Sequence, residues 1–542
     1  MSELFSTTRR NVSGQLPPGQ QLLVRAGYVR LMGSGVPAEL PPGVRLREAV
    51  VRRLIGGLLE AGAQAISLPP GGERPGMPTL PDALVDLVRQ EVRTYRQLPL
   101  ALYRFPPPLL QEENGRAGLL DAPLTRALDV YHVDASGQEA EARYRTRLAH
   151  LCSLFAQMGL PSPLVADDDG DAPDVWAAHS LAVPLAAGPD RLIHCAPCGR
   201  AFLPALAPFR RPEPSDEPRR PLEKVSTPGT NTIRSLTAYL GIPASRTAKV
   251  VFYAAQRPHG QRGVLVVALV RGDMEVSEVK LRRAINAWAL RPAEVPEIMA
   301  AGAVPGFASP VGLQSDRVVV VVDELVARSP NLVAGANEPD AHYLNVNAGR
   351  DYRPDVVADI ALAPPEAPCP SCGAPMTTVS TVIVGWAIGL DSEGIWGQKV
   401  AFTSAEGLRQ PAWFSLFRLD TIRLVGALAE VHHDEQGLCW PPALAPYDVH
   451  IVRLGKAGEP VEVADRLYAQ LRAVGLAVLY DDRDLGAGAK FTDADLIGAP
   501  LQVTVAPRAL RQGGVEVKVR ATGARHLVAP DGVVEAVRAR LG

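Results

Sequence analysis

Four of the six cysteines stand in two Cys-x-x-Cys pairs, Cys195 and Cys198 in "CAPC" and Cys369 and Cys372 in "CPSC". Two thiols so spaced on a turn can reach one metal ion, and two such pairs supply the four sulfurs of a structural zinc site. The pairs are distant in sequence, which costs little if the chain between them is a folded insertion with adjacent ends. Two readings stand: a shared structural zinc, or reduced thiols in two surface turns. A second stretch, "YRFPPPLLQEENGRAGLL" at 103 to 120, carries Glu112 and Arg116 on a proline-rich loop. Its lead-in is strand-like, three prolines withhold backbone donors, and "ENG" supplies a turn before the chain becomes apolar again.

The elements that must hold these groups belong to a chain of 542 residues, long enough for three or four domains. Hydrophobic residues make up 47% and charged residues 21%, a globular balance. The net charge of -2 gives no whole-chain case for nucleic acid, so any such partner must meet local basic patches. Runs such as "GVLVVALV" fall short of the roughly 18 residues of a membrane helix. "MSELFSTTRRNV" lacks the apolar core of a signal peptide, and a cytoplasmic protein is expected.

Apolar residues from Leu46 through Val50, Leu54 and Leu58 predict a long helix, and "AQAISLP" a strand after it. "VDASGQEAEARYRTRLAHLCSLFAQMGL" predicts a second helix, giving an α/β or α+β first domain. The proline-rich, charged stretch 205–222 reads as a linker, and 223–365 as a compact insertion of short strands and helices. From about 450, strands and helices alternate, predicting a small domain with a largely parallel sheet.

"YDDRDLGAGAKFTDADLIGAPLQVTVAP" with "VEVKVRATG" resembles the anticodon-binding domain of prolyl-tRNA synthetase, a class II aminoacyl-tRNA synthetase. "RAGYVRLMGSGVPAELPPGVRL" resembles the first class II motif, "HHDEQGLCWPPALAPYDVHIV" the exit from the third, and "TPGTNTIRSLTAYLGI" through "GANEPDAHYLNVNAGRD" the editing domain of the bacterial form. The resemblance implies an α/β multidomain fold: a class II antiparallel-sheet core with helices (1–204 and 366–447), an inserted α+β editing domain (223–365) and a C-terminal α/β anticodon-binding domain (448–542). It implies tRNA for proline as partner, not DNA or membrane, and a homodimer.

Threading "RQLPLALY" to "LDVYHVD" without a gap places Leu110 at the family's phosphate-clamping arginine and Asn114 at a second arginine, while Glu112 and Arg116 match. Leucine offers no charge-assisted hydrogen bond to a phosphate. Thr79 is kept, but Pro81 stands at the acid that meets the substrate ammonium. Trp386 and "AHSL" at 178–181 replace histidine-bearing runs, and Leu416 replaces a pocket cysteine. Arg423 survives as the ATP-stacking arginine, with Arg418 and Asp420 at glycine positions. The expectation is an eroded adenylation site, with ATP and Mg²⁺ as cofactors only if ligase activity survives.

The editing parts are retained: "TPGT" at 227–230, Lys249, Arg271, Asp273, Lys280, Gly306 in "GFASPVGL", Asn337 and His342. The resemblance implies hydrolysis of alanine wrongly attached to tRNA for proline. The expected pocket is Lys249, Gly306, Asn337 and His342, with Arg271 and Lys280 equally readable as a solvated face. Asp482, Arg483, Lys490, Glu516, Lys518 and Arg520 match the surface that reads anticodon bases, whereas Asp493 and Asp495 read as structural, as helix caps. Three activities stay open: hydrolysis of mischarged tRNA, proline ligation through a rearranged ATP site, and non-catalytic tRNA binding.

Overall fold

The structure, a computed structural model, describes residues 1–12, 15–33, 35–70, 80–110, 118–168, 175–256, 263–287, 289–313, 318–391 and 400–541. The chain divides into two compact units: Met1–Val165, Asp174–Asp190 and Ser380–Gly542 form one, Ala166–Pro173 and Arg191–Val379 the other. Among the described residues no helix is long and apolar enough to cross a membrane.

At the centre of the first unit six strands lie in the order Val175–Pro184, Thr377–Leu390, Trp413–Asp420, Ala127–Asp134, Leu100–Arg104 and Gln64–Ala65. All pairings are antiparallel except the last. Because side chains alternate across a pleated strand, the register assigns each row to a face. His179, Ala387, Phe417, Val130 and Tyr103 share one row. That face is covered by the Pro41–Glu60 and Gly137–Gln157 helices, whose Leu46, Val50, Leu54, Leu148, Leu151 and Phe155 join its core. Ser136 caps the second helix by accepting from the Glu139 N–H. The opposite face carries Ala178, Ile388, Leu416, Tyr131 and Leu102, sealed by Leu84, Val85 and Val88 of the Asp82–Glu91 helix and by Val400, Phe402 and Ala412.

Also in the first unit, five strands run in the order Val478–Asp481, Val449–Arg453, Leu501–Val505, Val515–Val519 and Arg525–Val528. The first three are parallel and the last two antiparallel, so the sheet is mixed rather than largely parallel: the short Pro507–Leu510 helical turn and then a tight hairpin reverse the chain between its last strands. Leu467 and Leu471 of the Glu459–Ala473 helix and Val533 and Val537 of the terminal helix bury its valines.

The second unit is built on a five-strand sheet, Ala289–Pro292, Ala248–Gln256, Val264–Arg271, Val318–Asp323 and Val356–Ala358. Its central strand reads "VLVVALVR" and is apolar on both faces: Val266, Ala268 and Val270 enter one core, Val267 and Leu269 another. A three-strand sheet, Glu223–Ser226, Ala341–Val346 and Leu332–Gly335, completes the unit. The segment 205–222, linker-like in composition, packs closely at its start: Ala207 and Phe209 are buried, and Arg211 pairs with Asp323 and Asp359.

Candidate functional site

A cavity of about 400 Å³ opens in the second unit. Thr230–Ile233, leading into the Ile233–Leu240 helix, forms one wall; Ala248–Val250, Gly306, Ala308, Gly335 and His342 form others. His342 lies in the middle strand of the three-strand sheet, opposite Val225 and Gly335. Its Nδ1 is 2.6 Å from Thr227 Oγ1, and its ring meets Phe307 edge-on with centroids 5.6 Å apart. Burial lowers its pKa, so the ring is neutral at pH 7.

The "TPGT" turn is fixed from below. The Thr227 N–H donates to the Asp340 carbonyl and the Gly229 N–H to Asp340 Oδ1, each at 2.8 Å. Thr230 Oγ1 donates to the Thr227 carbonyl at 2.6 Å. A Cβ on Gly335 would come within 2.1 Å of the Phe307 carbonyl oxygen, so only glycine lets the two segments approach there.

Lys249 borders the cavity and pairs with Glu275 at 2.5 Å. With Glu275 70% exposed, the pair is worth about 1 kcal/mol or less, and its ammonium can exchange to a phosphate. Asn337 does not line the cavity. In a left-handed conformation (φ 55°), its amide accepts from the Ser309 N–H at 2.8 Å and donates to the Val311 carbonyl at 2.9 Å, holding the loop that presents Gly306. Arg271 pairs with Asp273 on either side of the lining residue Gly272, and neither partner itself lines the cavity. Lys280 is buried, its Nζ donating to the carbonyls of Ala207 and Ala361 at 2.7 and 2.8 Å and pairing with Asp359; it is neither a ligand contact nor part of a solvated face. Thr227 of "TPGT" takes its place in the site, and Asp340 and Glu275, not singled out by sequence, complete it.

The four sulfurs of Cys195, Cys198, Cys369 and Cys372 lie within 4.8 Å of one another, with Cys195–Cys372 at 3.4 Å and Cys198–Cys369 at 3.7 Å. A tetrahedron of Zn–S bonds about 2.3 Å long has edges of about 3.8 Å. The two turns are built alike: Gly199 and Gly373 adopt positive φ and donate to the carbonyls of Cys195 and Cys369 at 2.8 and 2.9 Å. Burial raises the Cys369 thiol, but N–H groups of Cys372 and Ser371 and neighbouring sulfurs outweigh it, bringing it down to about 6. This donor set fits a structural metal ion.

In the first unit, Thr79, Glu112, Asn114 and Arg116 lie outside the described residues. Leu110 is 64% exposed, and Pro81 is the N-cap of the Asp82–Glu91 helix. One row of the sheet reads Ser180, Trp386, Arg418, Asp129, Arg104. Buried Arg418 grips both Asp129 oxygens at 2.7 and 2.9 Å, Tyr131 donates to Asp129 at 3.1 Å, and Arg104 donates to Tyr131 at 2.9 Å. Asp129 is the hub of this network, and its only sequence signal was an acid inside the apolar strand "LDVYHVD". Asp420 caps the Thr421–Val431 helix through the N–H groups of Ile422 and Arg423, and burial raises its pKa to about 6. Arg423 pairs with Asp190 at 3.1 Å. His179 Nδ1 meets the Tyr144 hydroxyl at 2.8 Å on the helix-covered face.

In the C-terminal domain, Lys490, Lys518 and Arg520 are buried. Lys490 donates to the Arg453 carbonyl at 2.8 Å, Lys518 pairs with Asp495 at 2.6 Å, and Arg520 grips Asp434 with two bonds of 2.7 Å. Arg483 pairs with Asp481 and Asp493, Asp482 with the Met1 ammonium, and half-buried Glu516 with exposed Arg525. Asp493 and Asp495 lie within the Ala487–Ile497 helix as ion-pair partners; Gly486 occupies the cap position they were expected to share.

Two family models match: an aminoacyl-tRNA editing domain over residues 227–352 and an anticodon binding domain over 448–540. A protein of Salinispora tropica named proline--tRNA ligase is 37% identical over 98% of this chain and 95% of its own length. Proteins of the same name from Dehalococcoides mccartyi (strain CBDB1) and Bacillus subtilis are each 34% identical, covering 100% and 96% of this chain and 98% and 96% of their own. The crystal structure of prolyl-tRNA synthetase from Cryptosporidium parvum complexed with L-proline and AMP superposes with a TM-score of 0.53 at 11% identity, covering 96% of this chain and 77% of that one, a likeness of fold. With full-length relatives above 30% identity and both accessory domains matched, the chain belongs to the prolyl-tRNA synthetase family, in the bacterial form that carries an editing domain and an anticodon-binding domain.

Proposed function

We propose that this chain binds tRNA for proline, as a homodimer, and hydrolyses alanine wrongly esterified to it, having given up formation of the aminoacyl adenylate. The observation that carries this reading is the buried, neutral His342 held by Thr227 on the wall of a cavity that Lys249 borders. In this reading Lys249 leaves Glu275 for a phosphate of the terminal adenosine. The start of the Ile233–Leu240 helix and the turn before it stabilise the ester oxyanion with N–H groups. His342 Nε2 orders the attacking water. The water oxygen bonds to the ester carbonyl carbon, the carbon–ribose oxygen bond breaks, and the ribose oxygen takes the proton, releasing free alanine and intact tRNA. Gly306 and Gly335 keep that end of the pocket narrow. The four cysteines hold a zinc ion with a purely structural role.

Loss of ligation is supported by the exposed leucine at position 110, by Pro81, and by a sheet face where Leu416, Ile388 and Ala178 lie under an apolar cover and the neighbouring Arg418 is taken up by Asp129. The second reading, proline ligation, is favoured by the names of the full-length relatives. Pyrophosphate exchange with ATP and proline separates the two. The proposal expects no proline-dependent exchange, and exchange at a rate typical of a ligase would restore the second reading.

A further inference from the structure

On the helix-covered face of the central sheet, away from every residue assigned above, a cavity of about 280 Å³ is bordered by His132, Arg143, Thr146, Arg147 and His150. Its volume is several times the roughly 30 Å³ that a water molecule occupies. Arg147 is 5% exposed. Its Nε donates to His132 Nε2 at 3.2 Å and its Nη1 meets His150 Nδ1 at 3.4 Å, so both contacts are with imidazoles and neither is a counter-ion. Among the described residues no carboxylate pairs with Arg147, whereas neighbouring Arg143 has Asp134 at 2.6 Å. A buried guanidinium is costly without an anionic partner.

His132 is 2% exposed, and since its Nε2 accepts from Arg147, its ring is neutral and leaves the guanidinium charge uncompensated. The last turn of the Pro41–Glu60 helix brings partial negative charge to the rim and the Glu60 carboxylate acts on His150, against which the guanidinium of Arg147 supplies the positive charge.

We infer that this cavity is a binding site for a phosphate-type oxyanion, held by Arg147. Planar guanidinium donors match phosphate oxygens in pairs.

The test is titration of the full-length protein with inorganic phosphate and, in parallel, glycerol phosphate, followed by phosphorus NMR. Saturable binding is expected, at least tenfold weaker in Arg147→Gln and unchanged in Lys456→Gln, an exposed cation elsewhere. Thr146→Glu, at an exposed helix position that folding tolerates, is expected to abolish binding by supplying a carboxylate at the rim. The tighter of the two ligands tells a free oxyanion from a monoester. Absence of saturable binding by folded wild-type protein, or equal binding by Thr146→Glu, would overturn the inference. So would a wild-type dimer that becomes monomeric in Thr146→Glu with no phosphate bound by either, which would give the cavity to a carboxylate of a second copy.

Discussion

Replacing Asp129 with alanine removes the carboxylate that Arg418 grips with two bonds and that Tyr131 also contacts. Breaking a buried ion pair from one side costs about 3–5 kcal/mol, and urea unfolding of Asp129→Ala should show a loss of that order. Asp129→Asn, which keeps the shape, should lose less. A second side-chain prediction concerns acid. His450 is fully buried, neither ring nitrogen has a partner among the described residues, and burial pushes its pKa down to about 3. The unfolded chain binds this proton below about pH 6.5 and the folded chain does not until about 3. Its contribution is therefore complete above pH 6.5 and lost as pH falls through that window, by up to about 1.4 kcal/mol per pH unit. His450→Leu should flatten the acid limb of the stability curve, read by denaturant midpoints from pH 7 to 4. Most individual roles were illegible in sequence for one physical reason. Lys280, Lys490 and Arg520 look like exposed cations when read singly, and only the fold reveals the carbonyls and carboxylates that bury them.

At the scale of elements, the Cys-x-x-Cys turns were legible because a metal site needs few residues at fixed spacing. Their approach across the intervening chain was an inference from loop closure that the sulfur positions support. One zinc per chain is expected by elemental analysis, and chelation or Cys369→Ser should lower the melting temperature by several degrees. The helices were equally plain: the apolar spacing from Leu46 to Leu58 and the helix read from "VDASGQEAEARYRTRLAHLCSLFAQMGL" both appear in the structure. The C-terminal sheet was less legible. Apolar strands alternating with helices suggest parallel pairing, but the hairpin between Val519 and Arg525 turns its edge antiparallel.

Across the whole molecule, resemblance in the right order along the chain gave family and fold, whereas activity depends on which of two sites still works. The face of the central sheet bearing Leu416 combines an apolar row with the buried Arg418–Asp129–Arg104 network, whereas the cavity bearing His342 is open and of mixed polarity. The direct measurement is release of alanine from alanyl-tRNA for proline by the purified protein, beside Lys249→Ala and His342→Ala. The account predicts hydrolysis well above buffer, at least tenfold slower in His342→Ala and weakened in Lys249→Ala. It also predicts no loss near pH 6.5 from protonation of His342, whose pKa lies below the ordinary value. Hydrolysis no faster than buffer, or wild-type rates in both variants, would contradict it.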